Sequence, residues 1–358
     1  MTGSQAAGTW PGPDPDPDLL VRLDGVVKHF QVLSGTLLRR SIAEVHAVDE
    51  VSLDVRRGET LGLVGETGCG KSTLARCIAR LYDLTAGRVI FDGHDISTLT
   101  RRQLRPYRRE LQMIFQDPYG SLNPRRRVGS IIGDPFSVHR VADGEQRKRA
   151  VQLLMAQVGL NPEHYNRFPA EFSGGQRQRI GVARALALQP KLIICDEPVS
   201  ALDVSIQAQV MNLLIDLQGE YALTYVFIAH DLAVVQRVST RVAVMYLGQV
   251  VEIAPSQELR EHPRHPYTRA LLSAEPIADP DRADAQERIV LRGDAPSPTS
   301  PPTGCRFHPR CPKAQPICQI QTPPLQPRFL DGATHAAACH FPLADGESLA
   351  YAHESTEQ

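Results

Sequence analysis

The residues from Gly65 to Ser72 read Gly-Glu-Thr-Gly-Cys-Gly-Lys-Ser, and their types and spacing suit the binding of a polyphosphate. The glycines let the backbone wrap closely around phosphate oxygens, toward which the N–H groups of the loop and of the following helix would point. Lys71 supplies positive charge for the outer phosphates, and Ser72 supplies a hydroxyl ligand for Mg²⁺. Thr73 can donate to an inner phosphate. The nucleotide-binding residues predicted here are Gly65, Glu66, Thr67, Gly68, Cys69, Gly70, Lys71, Ser72 and Thr73.

The elements on either side of this loop are those that a phosphate site needs. Residues Thr60 to Val64 are apolar enough to form a short buried strand. The stretch that follows the loop predicts a helix from Lys71 to Leu81, with Leu74 and Ile78 on the same face as Leu81. A glycine-rich turn without a ligand is the alternative, and the strand–loop–helix order disfavours it.

Two adjacent carboxylates, Asp196 and Glu197, follow a further buried strand that is predicted from Lys191 to Cys195. We expect Asp196 to hold Mg²⁺ and Glu197 to polarise a water molecule for attack on the terminal phosphate. Two acids at one strand end repel each other, so a cation should lie beside them. A helix cap after a core strand is the alternative.

A second anion site is predicted where Ser173 and two glycines begin a helix. Such a helix start presents unpaired N–H groups to an anion. One nucleotide cannot easily occupy both this site and the loop at Gly65. The residues that form it are Ser173, Gly174, Gly175 and Gln176.

The remaining pattern alternates strands with helices, which predicts an α/β fold with a parallel sheet. In such sheets ligands lie beyond the carboxyl ends of the strands. Gly65, Gln116, Asp196 and His230 all follow apolar strand-like runs, so we expect these residues to converge. Residues 99–110 carry five arginines, which favours a solvated helix face over an anionic partner.

The composition excludes several classes of protein. The 39 Lys and Arg residues balance 40 Asp and Glu residues, which argues against a dedicated nucleic-acid binder. No apolar run reaches the length of about 18 residues that a membrane-spanning helix needs, and no secretion signal is recognisable. The seven cysteines suit a reducing cytoplasm better than a disulfide framework.

The chain divides into four predicted regions. Residues 1–18 are rich in Gly, Pro and Asp and are expected to be a disordered tail. Residues 19–272 form the nucleotide-binding domain, with a basic surface excursion around 37–40. Residues 273–342 begin with Pro-rich linkers and form a small cysteine-rich unit. Residues 343–358 are expected to be a loose tail.

The three motifs occur in the same order as the motifs of one known protein family. Ser-Gly-Gly-Gln between a phosphate loop and Asp-Glu is similar to the signature of ABC-type ATPases. The resemblance implies a P-loop NTPase (RecA-like) core, an antiparallel β subdomain and a helical signature subdomain. In that family two subunits meet head to tail, and the signature of one closes over the ATP that the other holds. Phe172 and Cys69 replace the more usual leucine and serine, but neither change removes a backbone N–H.

The same resemblance implies roles for four further residues. Gln116 is similar to the glutamine that senses Mg²⁺ and the membrane partner. His230 is similar to the histidine that contacts the γ-phosphate and orients Glu197. Asp203 lies in a loop that crosses the dimer interface, and Phe30 is similar to the aromatic residue that stacks on adenine. Without the resemblance, His230 and Phe30 would be interpreted as ordinary core residues.

Longer matches resemble the oligopeptide/dipeptide importer branch of the family. They occur at residues 115–124, 197–205, 265–268 and 304–312. This implies an ATP-binding subunit of an importer for peptides, or for the nickel complexes or glutathione that relatives carry. The implied partners are a sister ATPase in a heterodimer, two transmembrane permease subunits and an extracytoplasmic binding protein. The implied location is peripheral, on the cytoplasmic face of the membrane.

The C-terminal region contains four cysteines that are candidate metal ligands, namely Cys305, Cys311, Cys318 and Cys339. Their spacing is not the paired C-x-x-C of zinc sites, and thiolates can also hold an iron–sulfur cluster. Some members of this branch hold a [4Fe–4S] cluster in the corresponding region, so the resemblance favours such a cluster here. Zn²⁺ and free thiols are the alternatives. Spacing also leaves three histidines open as ligands, namely His308, His335 and His340.

Two other classes of function compete with an importer subunit. One is a soluble ABC protein acting on ribosomes or DNA, which usually carries two nucleotide domains or long coiled coils, and this chain has neither. The other is a regulatory module without hydrolysis that senses redox state through the four cysteines. Intact Glu197 and His230 argue against the second.

Overall fold

The computed structural model describes residues 16–34, 40–117, 120–274, 289–330, 333–347 and 349. Its strands are β1 (Leu19–Ser34), β2 (Arg40–Arg56), β3 (Thr60–Val64), β4 (Ala86–Phe91), β5 (His94–Asp95), β6 (Leu111–Ile114), β7 (Leu192–Asp196), β8 (Thr224–Ile228), β9 (Arg241–Tyr246), β10 (Gln249–Pro255), β11 (Gln326–Leu330) and β12 (Ala333–Ala337). Its α-helices are α1 (Lys71–Ile78), α2 (Tyr107–Glu110), α3 (Val128–His139), α4 (Gly144–Gln157), α5 (Gly174–Leu186), α6 (Val204–Tyr221), α7 (Leu232–Val238), α8 (Ser256–Glu261), α9 (Pro266–Ser273) and α10 (Pro316–Ile320).

A mixed sheet forms the centre of the molecule, with the strand order β11-β12-β10-β9-β3-β8-β7-β6. The pairs β3–β8, β3–β9, β7–β8 and β6–β7 are parallel, as the alternation of strands and helices predicts. β3, β7 and β8 are buried along their whole length, because helices or the second sheet cover both faces. Their carboxyl ends therefore lie along one edge, where the chain turns into the motif residues.

A second sheet is antiparallel and has the order β2-β1-β4-β5. The long strands β1 and β2 pair from Leu19 with Arg56 to Ser34 with Arg40, with several register shifts along the way. An apolar cluster joins this sheet to α1 and to one face of the central sheet, and Val21, Phe91 and Leu74 are fully buried in it. The predicted antiparallel β subdomain is therefore present.

Helices α3, α4 and α5, which lie between β6 and β7 in the chain, pack on one another. Their shared core contains Val128, Ile132, Val151, Met155 and Val182, all fully buried. Two short 3₁₀ helices, Pro162–Asn166 and Pro169–Glu171, lead into α5. This is the predicted helical subdomain, and it presents the start of α5 at its surface.

Part of the C-terminal region adds to the central sheet, which the sequence does not predict. β12 pairs with β10, and β11 pairs with β12, so both strands extend this sheet. Buried Glu252 of β10 accepts hydrogen bonds from the backbone of His265 at 2.9 Å and lies 2.7 Å from Nε2 of His335. Burial lowers the pKa of His265 to about 4, so this imidazole is neutral near pH 7.

Residues near the end of the chain are packed, which differs from the expected loose tail after residue 342. Leu343 is 2% exposed, and its N–H donates to the carbonyl of Arg264 at 2.8 Å. Glu347 forms an ion pair with Lys313 at 2.5 Å. Residues 348 and 350–358 lie outside the described part of the chain, as do residues 1–15 of the predicted N-terminal tail.

Two predicted helices are shorter in the structure. α1 ends at Ile78 rather than Leu81, because Arg80 adopts a left-handed conformation (φ 51°), and Leu81 is 48% exposed. The arginine-rich segment 99–110 is mostly exposed, as expected, but only α2 is helical. Pro106 has no N–H to donate and can only begin that helix. Residues 35–39 of the basic excursion lie outside the described residues.

Candidate functional site

The loop between β3 and α1 has the backbone shape of a phosphate cradle. Gly65, Gly68 and Gly70 have φ values of 148°, 82° and 107°, which residues with a side chain rarely adopt. A Cβ at Gly70 would lie 2.0 Å from the carbonyl oxygen of Ala47, so the loop also needs glycine for space. The ammonium group of Lys71 donates to the carbonyls of Gly65 at 2.7 Å and of Glu66 at 3.0 Å.

The other loop residues differ in exposure. Thr67 and Gly68 are exposed at the tip, whereas Ser72 and Thr73 are half-buried at the start of α1. Cys69 is buried beneath the loop, and burial raises the pKa of its thiol. The backbone N–H groups at the tip are thus accessible to an anion.

Ser72 and Asp196 meet although 124 residues separate them in the chain. The hydroxyl of Ser72 donates to Oδ1 of Asp196 at 2.7 Å. Asp196 is 1% exposed, and among the described residues its Oδ2 atom has no hydrogen-bond partner. Arg76 is the nearest cation, at 3.8 Å from Oδ2. A buried carboxylate oxygen beside a hydroxyl fits Mg²⁺, which prefers hard oxygen ligands.

Glu197, Gln116 and His230 converge at the same edge of the sheet. The side-chain amide of Gln116 donates to Oε2 of Glu197 at 2.8 Å. Nδ1 of His230 lies 4.0 Å from the same oxygen, and the His230 side chain is 57% exposed. Glu197 adopts a left-handed backbone conformation (φ 47°), which turns its carboxylate out of the strand direction. One carboxylate oxygen thus lies between an amide donor and an imidazole.

The predicted second anion site begins α5. Ser173 caps the helix, because its Oγ accepts from the N–H of Gln176 at 3.3 Å and Oε1 of Gln176 accepts from the N–H of Ser173 at 3.0 Å. Ser173 is exposed, Gly174 is half-buried and Gly175 is buried. A Cβ at Gly175 would lie 2.4 Å from Ile206 of α6, so glycine is also required there for packing.

Phe30 and Asp203 occupy the edges of the site. Phe30 is half-buried on β1, in an edge-to-face contact with Tyr82 whose ring centroids are 5.4 Å apart. The ammonium of Lys28 lies 4.8 Å from the centre of the Phe30 ring. Asp203 is exposed immediately before α6. Phe30 is therefore partly accessible to solvent rather than a buried core residue.

The four C-terminal cysteines line one small cavity, which also includes His265, His308 and His340. No three of the four sulfur atoms lie within 4.8 Å of one another, among the residues that the structure describes. A single tetrahedral zinc would need thiolates closer than that, since Zn–S bonds are about 2.3 Å. His335 lies elsewhere, paired with Glu252. Burial raises the pKa of Cys311 to about 11 and of Cys339 to about 12.

Sequence reasoning missed a cluster of His29, His46 and Asp49. The two imidazole centres are 4.1 Å apart, and both rings approach the Asp49 carboxylate, at 3.2 and 3.4 Å. His29 and His46 come together only because β1 and β2 pair at this point. The Asp49 carboxylate already forms an ion pair with Arg306, whose charge holds the pKa of Asp49 below its usual value against the opposing effect of burial. The cluster therefore has little need of a further cation.

Comparisons with protein families identify two regions of the chain. The family described as ABC transporter matches residues 48–200. The family described as oligopeptide/dipeptide transporter, C-terminal region, matches residues 251–318. The first match contains the phosphate loop and the Asp196–Glu197 pair. The second contains three of the four cavity cysteines, Cys305, Cys311 and Cys318, and most of β10.

Two relatives and a solved structure show the extent of the similarity. The oligopeptide transport ATP-binding protein AppF of Bacillus subtilis is 53% identical over 325 residues, which are 90% of this chain and 97% of that protein. The probable peptide ABC transporter ATP-binding protein y4tS of Sinorhizobium fredii is 51% identical, with 90% of each chain covered.

The solved structure is a dimeric post-hydrolysis state of the ATP-binding cassette MJ0796 bound to ADP and Pi. It matches with a TM-score of 0.59 and 28% identity, over 66% of this chain and 99% of that one. Among the described residues, no helix is long and apolar enough to cross a membrane. With this fold and these relatives, the chain belongs to the family of ABC transporter ATP-binding proteins and is an ABC-type ATPase.

Proposed function

We propose that this chain binds and hydrolyses ATP to power the uptake of di- and oligopeptides across the cytoplasmic membrane. The observation that carries the proposal is its 53% identity, over 90% of its length, with an oligopeptide transport ATP-binding protein. The match of residues 251–318 to an oligopeptide/dipeptide transporter region supports the same substrate class. Nickel complexes and glutathione are the alternative cargoes, because related importers carry them.

The ATP site is proposed to use the loop from Gly65 to Thr73. Its backbone N–H groups and the Lys71 ammonium bind the phosphates, and Phe30 stacks on the adenine. Ser72 and Asp196 would hold Mg²⁺, which offsets negative charge on the phosphates when it is bound. The buried Oδ2 atom of Asp196, which accepts no hydrogen bond within the described part of the chain, supports this assignment.

Hydrolysis is proposed to depend on Glu197 as general base. Its carboxylate accepts a proton from the attacking water, while Gln116 and His230 fix its orientation. The 2.8 Å hydrogen bond from Gln116 and the 4.0 Å approach of His230 support those roles. His230 is also proposed to contact the γ-phosphate, which its exposure permits.

A second protomer is proposed to complete the site. Ser173 and Gln176 at the start of α5 are exposed, as is Asp203, so a neighbouring subunit can reach these residues. Gly174 and Gly175 complete the helix start. In the proposed head-to-tail dimer, the helix start of one protomer contacts the γ-phosphate that the other protomer holds. ATP then closes the dimer, and hydrolysis reopens it.

The assembly is proposed to contain a sister ATPase, two transmembrane permease subunits and an extracytoplasmic binding protein. The chain would then lie on the cytoplasmic face of the membrane, held there by the permeases. No nucleic acid is expected as a partner, because the charges of the chain nearly cancel. We assign nucleotide binding to the domain formed by residues 19–272. Residues 273–342 form the C-terminal region of the oligopeptide-transporter type.

The cysteine cavity is proposed to hold a [4Fe–4S] cluster through Cys305, Cys311, Cys318 and Cys339. Four thiols around one cavity form the donor set of such a cluster. In the described part of the chain no three of these sulfur atoms lie within 4.8 Å of one another, which disfavours a single Zn²⁺, the alternative. When bound, the cluster would supply four iron–thiolate bonds that tie the C-terminal segments together.

A pull-down of the untagged assembly from its native membranes tests the proposed function. Two permeases and a sister ATPase should be recovered with this chain, and the complex in lipid vesicles should take up labelled peptide only with ATP. Uptake of nickel complexes or glutathione but not peptide would change the cargo. Recovery of ribosomes or DNA instead of membrane proteins would overturn the assignment.

A further inference from the structure

We propose that Arg310 is a positioning residue for the phosphate loop and acts through Glu66. The inference rests on the proposed ATP site, and it assigns part of the function of that site to the C-terminal region. Arg310 ends the short 3₁₀ helix His308–Arg310, far from the loop in sequence. The fold nevertheless places its guanidinium directly against the second residue of the loop.

The contact between Arg310 and Glu66 is a close, partly buried ion pair. Nη1 of Arg310 lies 3.1 Å from Oε1 and 3.0 Å from Oε2 of Glu66. The side chains are only 11% and 32% exposed, so solvent screens the pair less than it screens a surface salt bridge. Nη1 also lies 3.4 Å from the hydroxyl of Tyr246. The guanidinium is therefore fixed on two sides.

Glu66 is anchored through its backbone as well. Its N–H donates to the hydroxyl of Tyr267 at 2.9 Å, and its carbonyl accepts from Lys71 at 3.0 Å. Ordering a loop with three glycines has a large entropic cost, because glycine has the most backbone freedom to lose. The N–H, the carbonyl and the side chain of Glu66 are all held before ATP binds. Less backbone entropy is then lost when ATP binds, so the affinity for ATP is higher.

The carboxylate of Glu66 is unexpected in a loop that is proposed to bind the negatively charged phosphates of ATP. The Glu66 side chain would repel the phosphates of ATP if its charge were not compensated. Arg310 supplies that compensation, so the pair keeps the anchor and removes the repulsion. Loss of Arg310 alone should therefore harm ATP binding more than loss of both charges.

An aromatic cluster keeps Arg310 in place. Phe307 is 1% exposed, and its ring centre lies 5.3 Å from that of Tyr246 and 5.5 Å from that of Tyr267. Tyr267 and Phe307 both lie in residues 251–318, outside the match to the nucleotide-binding family at 48–200. The C-terminal region thus supplies the contacts of Arg310 and Tyr267 that hold Glu66 of the phosphate loop.

Steady-state ATPase assays on the purified full assembly, with binding of a fluorescent ATP analogue to the full-length chain, test the inference. Arg310→Gln should raise KM for ATP and the Kd of the analogue about tenfold, with kcat changed less than about twofold. Arg310→Lys should recover part of the affinity. The double variant Glu66→Gln/Arg310→Gln should bind within about threefold of the wild type, because the uncompensated carboxylate is gone.

Lys313→Gln is the matched control, because Lys313 is in the same region but pairs with Glu347 rather than with the loop. It should leave KM within about twofold. If Arg310→Gln does not fold, Arg310→Lys and the double variant carry the test. Unchanged KM in Arg310→Gln, or no recovery in the double variant, would overturn the inference. Failure of the wild-type chain to bind ATP would instead overturn the proposed function.

Discussion

The side-chain amide of Gln116 donates a 2.8 Å hydrogen bond to Oε2 of Glu197, which joins the carboxyl end of β6 to that of β7. Gln116 lies in a short exposed segment that follows β6 and leads toward the helical subdomain. A movement of that subdomain would therefore move the amide away from the carboxylate. This contact gives a direct physical link between the position of the helical subdomain and the proposed general base.

The first prediction concerns Glu197→Gln. The amide cannot accept a proton, so ATP turnover should fall by about 10²- to 10⁴-fold while ATP binding is retained. Single-turnover hydrolysis and equilibrium binding of a fluorescent ATP analogue measure the two effects separately. Glu220→Gln, on the exposed end of α6, is the control and should turn over normally. Wild-type turnover in Glu197→Gln would show that another group is the base.

The second prediction concerns Lys71→Ala. Removal of the ammonium deletes charge-assisted hydrogen bonds to the phosphates, so the Kd for ATP should rise about 10- to 100-fold. Equilibrium dialysis against Mg-ATP gives the Kd. Lys191→Ala removes an exposed lysine that pairs with Asp92 and Glu110, and it should bind ATP normally. Equal affinities in the two variants would contradict the role of Lys71.

Much of the site could be predicted because its signals are local. β3 and β7 are continuous apolar runs, and the glycines and carboxylates that follow them belong to short motifs. Parallel strands then bring the ends of β3, β6, β7 and β8 to one edge without further information. The convergence of Ser72 with Asp196 and of Gln116 with Glu197 follows from that rule.

Other features could not be predicted because they depend on pairings between distant segments. Arg310 and Glu66 are 244 residues apart, and nothing local marks either residue as a partner of the other. The short strands β11 and β12 have no long apolar run, so neither the pairing of β12 with the edge of β10 nor that of β11 with β12 has a clear signal in the sequence. α1 ends early because of the backbone conformation of Arg80, which no residue pattern indicates.

The third prediction concerns Phe30→Ala. Loss of the ring should remove base stacking worth about 1–3 kcal/mol, which is about tenfold or more in the Kd of ATP. The Kd of inorganic triphosphate, which has no base, should not change. Competition binding with both ligands makes the comparison within one variant. Phe168→Ala, at another partly exposed phenylalanine, should leave both values unchanged. Equal losses for ATP and triphosphate would exclude adenine stacking.

The fourth prediction concerns the metal content of the cysteine cavity. Protein purified without oxygen should contain about four iron and four sulfide ions per chain and little zinc. Cys318→Ser should lose most of this iron, since Cys318 lines the cavity. Cys77→Ser is the control, because Cys77 lies on the buried face of α1 and does not line the cavity, so this variant should retain the iron. Folded wild-type protein without iron or sulfide would exclude the cluster.

The fifth prediction concerns Ser173→Ala and the proposed contact between protomers. Because Ser173 should contact only the nucleotide of the neighbouring protomer, the isolated variant chain should bind ATP with unchanged Kd. In the assembly with Glu197→Gln, where ATP is not consumed, the same change should weaken ATP-dependent closure, measured by cross-linking between the two ATPase subunits.

The change also removes a helix cap, which lowers stability by about 1 kcal/mol and needs its own control. Asn161→Ala is suitable, because the Asn161 side chain caps a 3₁₀ helix of the same subdomain by accepting from Glu163 at 2.9 Å. This control should lower the melting temperature similarly but leave closure intact. If both variants closed normally, or if Ser173→Ala weakened ATP binding by the isolated chain, the contact with the neighbour's γ-phosphate would be refuted.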